Sequence, residues 1–197
     1  RVFSRTGNDL TAAAIEIVEA VRALDADTVI LDGEAIALKR DGAPYPFQDT
    51  MRRFGRVLDI ERMRETMPLS VFFFDCLHLN NEDLVGLGGR ERFKALSDAV
   101  PPSMVIPRVA MNDLASAQAF YDDAIQRQHE GVMVKALDAP YEPGRRSGRA
   151  SSAARPERLA ARASSRPSRS PTSPRTASRP AAPQQMWSKS PIPARRV

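Results

Sequence analysis

Cysteine and histidine are scarce in this sequence. Cys76 is the single cysteine, and His78 and His129 are the only histidines among 197 residues. One cysteine excludes an intramolecular disulfide and a cysteine-based zinc cluster. The two histidines lie far apart, and neither has a Cys or His partner at metal-ligand spacing, so they form no ligand set. His78 reads as a strand-end residue and His129 as a turn residue, and Ser/His/Asp nucleophilic chemistry has no motif to support it. Lysine is nearly as scarce: Lys39, Lys94, Lys135 and Lys189 are the only four. No apolar run approaches 18 residues and no signal peptide is visible, which predicts a soluble, cytoplasmic protein with no membrane partner. There is no internal repeat.

Charge is abundant but unevenly placed. From Gly144 to Val197 twelve arginines and Lys189 face Glu157 alone, a net of +12. For the whole chain to be +5, Arg1–Pro143 must carry −7. The basic pI, about 9.9, therefore belongs to the tail, and the acidic body does not read as a basic nucleic-acid module. From about Ser147 the chain is Arg, Ser, Ala and Pro with almost no periodic apolar residues. Such a segment cannot bury enough surface to offset chain entropy, and a disordered tail over 147–197 is expected. Met186 and Trp187 stand isolated within it. The first residue is Arg, and the chain is expected to begin inside a longer protein.

Arg1–Pro143 has the patterning of a folded body. Asn8 or Asp9 is placed to cap a helix running to about Leu24, with Ile17, Val21 and Leu24 on one face. Thr28–Leu31 and Glu34–Leu38 read as strand interrupted at Asp32-Gly33. Arg40-Asp41-Gly42 is a turn signal that should return the chain as a hairpin. Phe47–Phe54 reads as helix. Leu69–Leu77, apolar and aromatic between Pro68 and Asn80-Asn81, suits a buried strand. Arg90–Ala99 is a helix stopped before Pro101-Pro102. Met104–Arg108 is a short strand, Asp113 caps a helix to about Gln128, and Gly131–Lys135 is a further strand. Hairpin signals and uneven spacing favour an α+β layout with antiparallel sheet over βαβ units.

Four segments could carry chemistry: Ser4-Arg5-Thr6-Gly7, Leu31-Asp32-Gly33-Glu34, Phe72-Phe73-Phe74-Asp75 and Glu130-Gly131-Val132-Met133-Val134-Lys135. Singly each is weak. A Glu in a strand is usually solvated, a Phe in an apolar run is usually core, an Arg after Ser is usually surface, and Glu-Gly before an alternating strand is usually a turn. Together and in this order they resemble the nucleotidyltransferase motifs of ATP-dependent DNA ligases, most strongly the mycobacterial and archaeal-type enzymes. Arg1–Asp9, Thr28–Leu38, Pro46–Arg56, Val71–Asn80 and Tyr141–Arg146 share the resemblance, which covers most of Arg1–Arg146.

The resemblance implies an adenylation-domain fragment over 1–146, with a nucleotidyltransferase fold of antiparallel sheets flanked by helices, incomplete in this chain. It implies ATP and Mg²⁺ as cofactors and nicked duplex DNA as partner to a monomer. In this family a lysine attacks the ATP α-phosphate, the AMP passes to the 5′-phosphate of a nick, and the 3′-hydroxyl displaces it. Such an amine nucleophile needs a lowered pKa, and the charge that builds on phosphate needs cations close by. By resemblance Arg5 holds the AMP phosphate, where its fork suits phosphate oxygens. Glu34 contacts the ribose hydroxyls, and Phe74 stacks on adenine, an interaction of roughly 1–3 kcal/mol. Glu130 supplies a carboxylate to the divalent metal, a hard cation that takes oxygen ligands. Lys135 faces the phosphate, since alternation puts Val132 and Val134 on one face and Met133 and Lys135 on the other. Arg146 is the basic contact of Gly144-Arg145-Arg146. These residues are expected to line one pocket shaped for AMP.

Two parts of the family pattern are missing. The nucleophile lies in Lys-x-Asp-Gly, upstream of the Ser-Arg segment; the only decoy, Asp32-Gly33, has Ile30 where lysine is required. No catalytic residue is therefore assigned, and a fragment unable to ligate is expected. Strands upstream of Arg1 should pair with those present, so exposed edges and marginal stability are expected too. After Gly-Arg-Arg the family continues with Trp-Leu-Lys-x-Lys, and the position of its first lysine falls near Ser152. The OB-fold that should follow leaves no strand patterning in the tail. A shift of reading frame near Arg146 or Ser147 accounts for the abrupt change. The alternative is a genuine basic tail that binds nucleic acid by neutralising phosphates, and an RNA ligase or capping-type nucleotidyltransferase is the sister reading of the body. Translation of the other two frames of the gene beyond Ser147 is expected to reveal Trp-Leu-Lys-x-Lys; its absence from both would overturn the frame-shift explanation.

Overall fold

The computed structural model describes residues 1–40, 42, 44–55, 59–127, 129, 131–142, 151–153 and 184–189. They divide into two units, one built from Arg1–Pro107 with Asp138–Arg145, the other from Arg108–Leu137 with the later strands.

The first unit is organised by one antiparallel pair, β1 (Val29–Ala37) and β2 (Leu69–Leu79), extended by the two-residue β3 (Glu82–Asp83). One face of the pair is apolar. Ala37, Leu69, Val71, Phe73 and Cys76 form a core there with Ala14 and Ile17 near α1 (Ile15–Arg22), Leu96 of α4 (Gly89–Ala99) and Val100 just after it. The pairing slips twice. Asp32 faces Asp75 while Gly33 faces Phe73, so the register passes over Phe74, and it passes over Leu77 in the same way between His78 and Cys76. The break that Asp32-Gly33 suggests in sequence is thus a bulge inside one continuous strand. Gly33 is required there: a Cβ would lie 2.8 Å from the Phe72 carbonyl oxygen and 2.8 Å from Phe73 Cδ1.

The connection before β1 differs from expectation. Asn8 and Asp9 do not cap a helix. They form the return of a tight hairpin in which Ser4 N donates to Asn8 O (2.8 Å), Gly7 N donates to Ser4 O (2.9 Å) and Phe3 bridges Asp9. Gly7 adopts φ 82°, the left-handed residue such a turn needs. Asp9 instead accepts from Thr11 N and Arg1, which holds its carboxyl below the ordinary range. Helix α1 starts only at Ile15, without a side-chain cap. The turn at Gly42 forms, but it returns through a single bridge from Leu38 to Pro44 and a bond from Tyr45 N to Ala37 O. Then come α2 (Phe47–Phe54), at its expected bounds, and α3 (Ile60–Thr66), a seven-residue helix with no fully buried residue.

A fully buried cation ties α2 to α1. Arg53 has no exposed side-chain surface; it donates to both Glu16 oxygens (3.0 and 3.2 Å) and to Ala13 O (2.9 Å). Glu16 also accepts from Leu69 N at the start of β2. One ion pair therefore joins three segments of the first unit.

In the second unit α5 (Leu114–Gln126) packs on a sheet of strand order β4-β7-β5-β6, where β4 is Arg108–Met111, β5 is Gly131–Ala136, β6 is Ser151–Ala153 and β7 is Gln184–Lys189. Asp113 caps α5 as expected, its carboxylate accepting from Ser116 N at 2.7 Å. Met111, Ala117, Ala124, Val132 and Val134 make the core. The strand expected over Met104–Arg108 starts later, at Arg108. Pro102–Met104 forms a short 3₁₀ turn, and Val105 makes only a parallel bridge to Phe73. Two stretches of the Arg/Ser/Pro-rich tail, β6 and β7, pair with β5 where the sequence promised no strand; β7 also pairs with β4. Among the described residues no helix is long and apolar enough to cross a membrane.

Two stability predictions follow from the first unit. Arg53→Ala strands a buried carboxylate and is expected to lower the unfolding free energy by about 3–5 kcal/mol, whereas Arg64→Ala, which breaks the more exposed pair with Glu19 (2.6 Å), should cost under about 1 kcal/mol. Urea titrations of the two variants would test the difference; equal losses would contradict it. Gly33→Ala forces the paired backbone apart and is expected to cost about 1–3 kcal/mol, read as a lowered melting temperature.

Candidate functional site

The β1–β2 pair has a second face, opposite the core. Ala35, Val71 and Phe73 pack in or against the core, so in the regular half of the pair the two-residue period turns Glu34 and the buried Phe72 the other way. Glu34 is exposed and lies directly across from Phe72. Phe74 is half-buried and is the residue the register passes over at the bulge. Bulges re-aim side chains and end regular pairing, and they are common beside binding sites. A carboxylate and an aromatic ring thus lie at one irregularity of the sheet.

Behind the bulge is a buried polar cluster. Asp32 and Asp75 oppose each other across the strands. The guanidinium of Arg92, 3% exposed, grips Asp75 through Nε (2.7 Å) and Nη2 (3.2 Å), while its Nη1 donates to the carbonyls of Leu87 and Ala139. Tyr141 lies over the same guanidinium, 5.9 Å from ring centre to Cζ, and donates its hydroxyl to Asp32 Oδ2 at 2.8 Å. Burial, and then the bond to Asp32, push the Tyr141 phenol well above its ordinary pKa, so it stays a donor.

Sequence reasoning missed Arg92. A signal existed: Arg92, Leu96 and Val100 recur every four residues and are all buried, so Arg92 stands at a core position of α4 and its C-terminal flank. Arg53 is a similar case in α2, one turn after buried Thr50.

The other sequence-assigned residues are distributed as follows. Arg5 is exposed at the tip of the Ser4–Gly7 turn in the first unit. Lys135 is on β5 of the second unit, half-buried, and shares with Met133 the side opposite buried Val132 and Val134. Glu130 and Arg146 lie outside the described residues. The structure therefore brings Glu34 and Phe74 together on one sheet. Among the described residues no group of three or more His, Cys, Asp or Glu is arranged to hold a metal ion.

Residues 1–150 match a family model described as the ATP dependent DNA ligase domain. Proteins named probable DNA ligase from Anaeromyxobacter sp. (strain Fw109-5) and Sorangium cellulosum (strain So ce56) are 56% and 52% identical to the chain over 74% and 75% of its length. The chain spans only 28% of each of these relatives. Among solved structures, the ligase domain from M. tuberculosis LigD shares 28% identity at a TM-score of 0.54, over 75% of this chain and 45% of that one. A mycobacterial DNA ligase D complexed with ATP and MES gives 27% and 0.51 over the same shares. The mixed helices and antiparallel sheet are the fold of that ligase domain, and with three quarters of its residues inside the family match the chain belongs to the ATP-dependent DNA ligase domain family.

Proposed function

We propose that this chain is the adenine-nucleotide-holding part of an ATP-dependent DNA ligase, a monomeric cytoplasmic enzyme that seals nicks in duplex DNA through lysyl-AMP and DNA-adenylate intermediates. The observation that carries the reading is the placement of Glu34 and Phe74 at one bulge of the β1–β2 pair. A flat ring offers adenine a stacking surface, and an adjacent carboxylate offers acceptors for the two ribose hydroxyls. A solved relative of the same fold is itself in complex with ATP. On this reading Arg5 and Lys135 take phosphate oxygens, with Arg146 as a further basic contact.

Mg²⁺ is proposed on the family resemblance alone, with Glu130 as its carboxylate; the ion would supply positive charge against the phosphates. What the chain's own residues do is bind and orient. Phe74 and Glu34 fix base and sugar, and the cations hold the phosphates. The sequence contains no Lys-x-Asp-Gly, so by itself this chain is proposed to bind ATP without becoming adenylated.

Calorimetry of the 197-residue chain with ATP is expected to show reversible binding that Phe74→Ala weakens about 5- to 100-fold, the loss of one base–aromatic stack. Incubation with α-labelled ATP and Mg²⁺ is expected to leave no covalent protein–AMP band. Unchanged affinity in the Phe74 variant, or a labelled band, would contradict the proposal.

A further inference from the structure

Two carboxylates placed directly opposite each other on paired strands repel. Asp32 and Asp75 are such a pair, and they sit at the register slip that passes over Phe74 and precedes Gly33-Glu34. Each acid has its own answer. Asp75 is held by two nitrogens of buried Arg92, and Asp32 by the hydroxyl of Tyr141. The two answers are themselves joined, because Arg92 lies beneath the Tyr141 ring and donates to Ala139 O. Tyr141 N further donates to Val85 O at 3.1 Å. Residues 139–141 are thereby fastened to the loop before α4 and to the bulge, more than 100 residues away from Asp32 in the chain.

A bulge leaves one residue out of the ladder and disrupts the pairing locally. The side chains it aims are only as well placed as the groups that pin it, and a binding site needs its contacting residues held by such support. We infer that Tyr141 is a positioning residue: with Arg92 it clamps the Asp32–Asp75 step of the sheet and so sets the placement of Glu34 and Phe74 for the ribose and base of the nucleotide. The nucleotide part of this inference rests on the function proposed above; the clamp itself does not.

The test is Tyr141→Phe in the full 197-residue chain. It keeps the ring over Arg92 and removes only the bond to Asp32. Amide hydrogen exchange reads the clamp without any ligand. Exchange at Gly33, Glu34, Phe74 and Asp75 is expected to quicken about tenfold or more, while Ala35–Ala37 and Leu69–Val71, in the regular half of the same pair, stay protected. Equal acceleration across both halves would mean a general loss of stability, and no acceleration would mean no clamp; either result overturns the inference. ATP and 2′-deoxy-ATP binding read the consequence. The variant is expected to lose about tenfold in ATP affinity and to lose most of its preference for ATP over the deoxy form, as Glu34→Gln should. Local exchange that quickens with ATP preference intact would overturn the positioning role. A parent chain that binds no ATP while the exchange pattern appears would overturn the nucleotide role and leave the clamp standing. Asp32→Asn retains an acceptor for the phenol and removes one of the facing charges, and is expected to keep the parent exchange pattern; quickening there would also count against the clamp.

Discussion

Repulsion between Asp32 and Asp75 is the constraint around which the first unit is arranged. Like charges facing each other at strand separation destabilise a sheet unless something nearby answers them. Here the answer is a buried guanidinium and a phenol, and both come from outside the strand pair. Arg92 brings α4 against β2, and Tyr141 brings the chain back after the second unit. Removing Arg92 would leave the buried Asp75 carboxylate in a site where water no longer solvates it well. Such a site stabilises one register of the strands by penalising the others, the best-attested role for buried polar groups.

Arg53 repeats the device at the other side of the core. Its fork closes on Glu16 of α1 and a carbonyl of the preceding turn, while Glu16 reaches the first amide of β2. The apolar cluster of Ile17, Leu69, Phe73, Leu96 and Val100 supplies the nondirectional attraction. The two arginines make that attraction specific, because a planar, permanently charged fork accepts few geometries. Both link segments distant in sequence, and neither belongs to the set of residues assigned to the nucleotide.

Much of the fold could be read locally. Helix α2 has its expected bounds, and the cap of α5 is the expected Asp113. The buried aromatic strand β2 and the alternating β5 are where apolar pattern puts them. The failures have definite causes. Asn8 and Asp9 are good caps, but their backbone was claimed by the hairpin that Gly7 permits. Asp32-Gly33 looks like a turn, yet the strand runs through it because Gly33 admits the partner's backbone against its α-carbon. Met104–Arg108 is apolar enough for a strand, but Pro101 and Pro102 set up a 3₁₀ turn and delay the pairing to Arg108. Nothing in the composition of Gln184–Lys189 foretells that it enters a sheet between β4 and β5.

The candidate site divides along the same line. Sequence alone determined the family, because Ser-Arg-Thr-Gly, Asp-Gly-Glu, Phe-Phe-Asp and Glu-Gly-Val-Met-Val-Lys are local words whose order survives any folding detail. What only the tertiary structure decided is that the register slips between Glu34 and Phe74, and that Arg92 and Tyr141 hold the two acids at that slip. Register is a property of two strands at once, and an ion pair or a phenol–carboxylate bond is made between residues 17 and 109 positions apart. No window along one chain contains both partners, so the placement of these residues is written in contacts and not in local pattern.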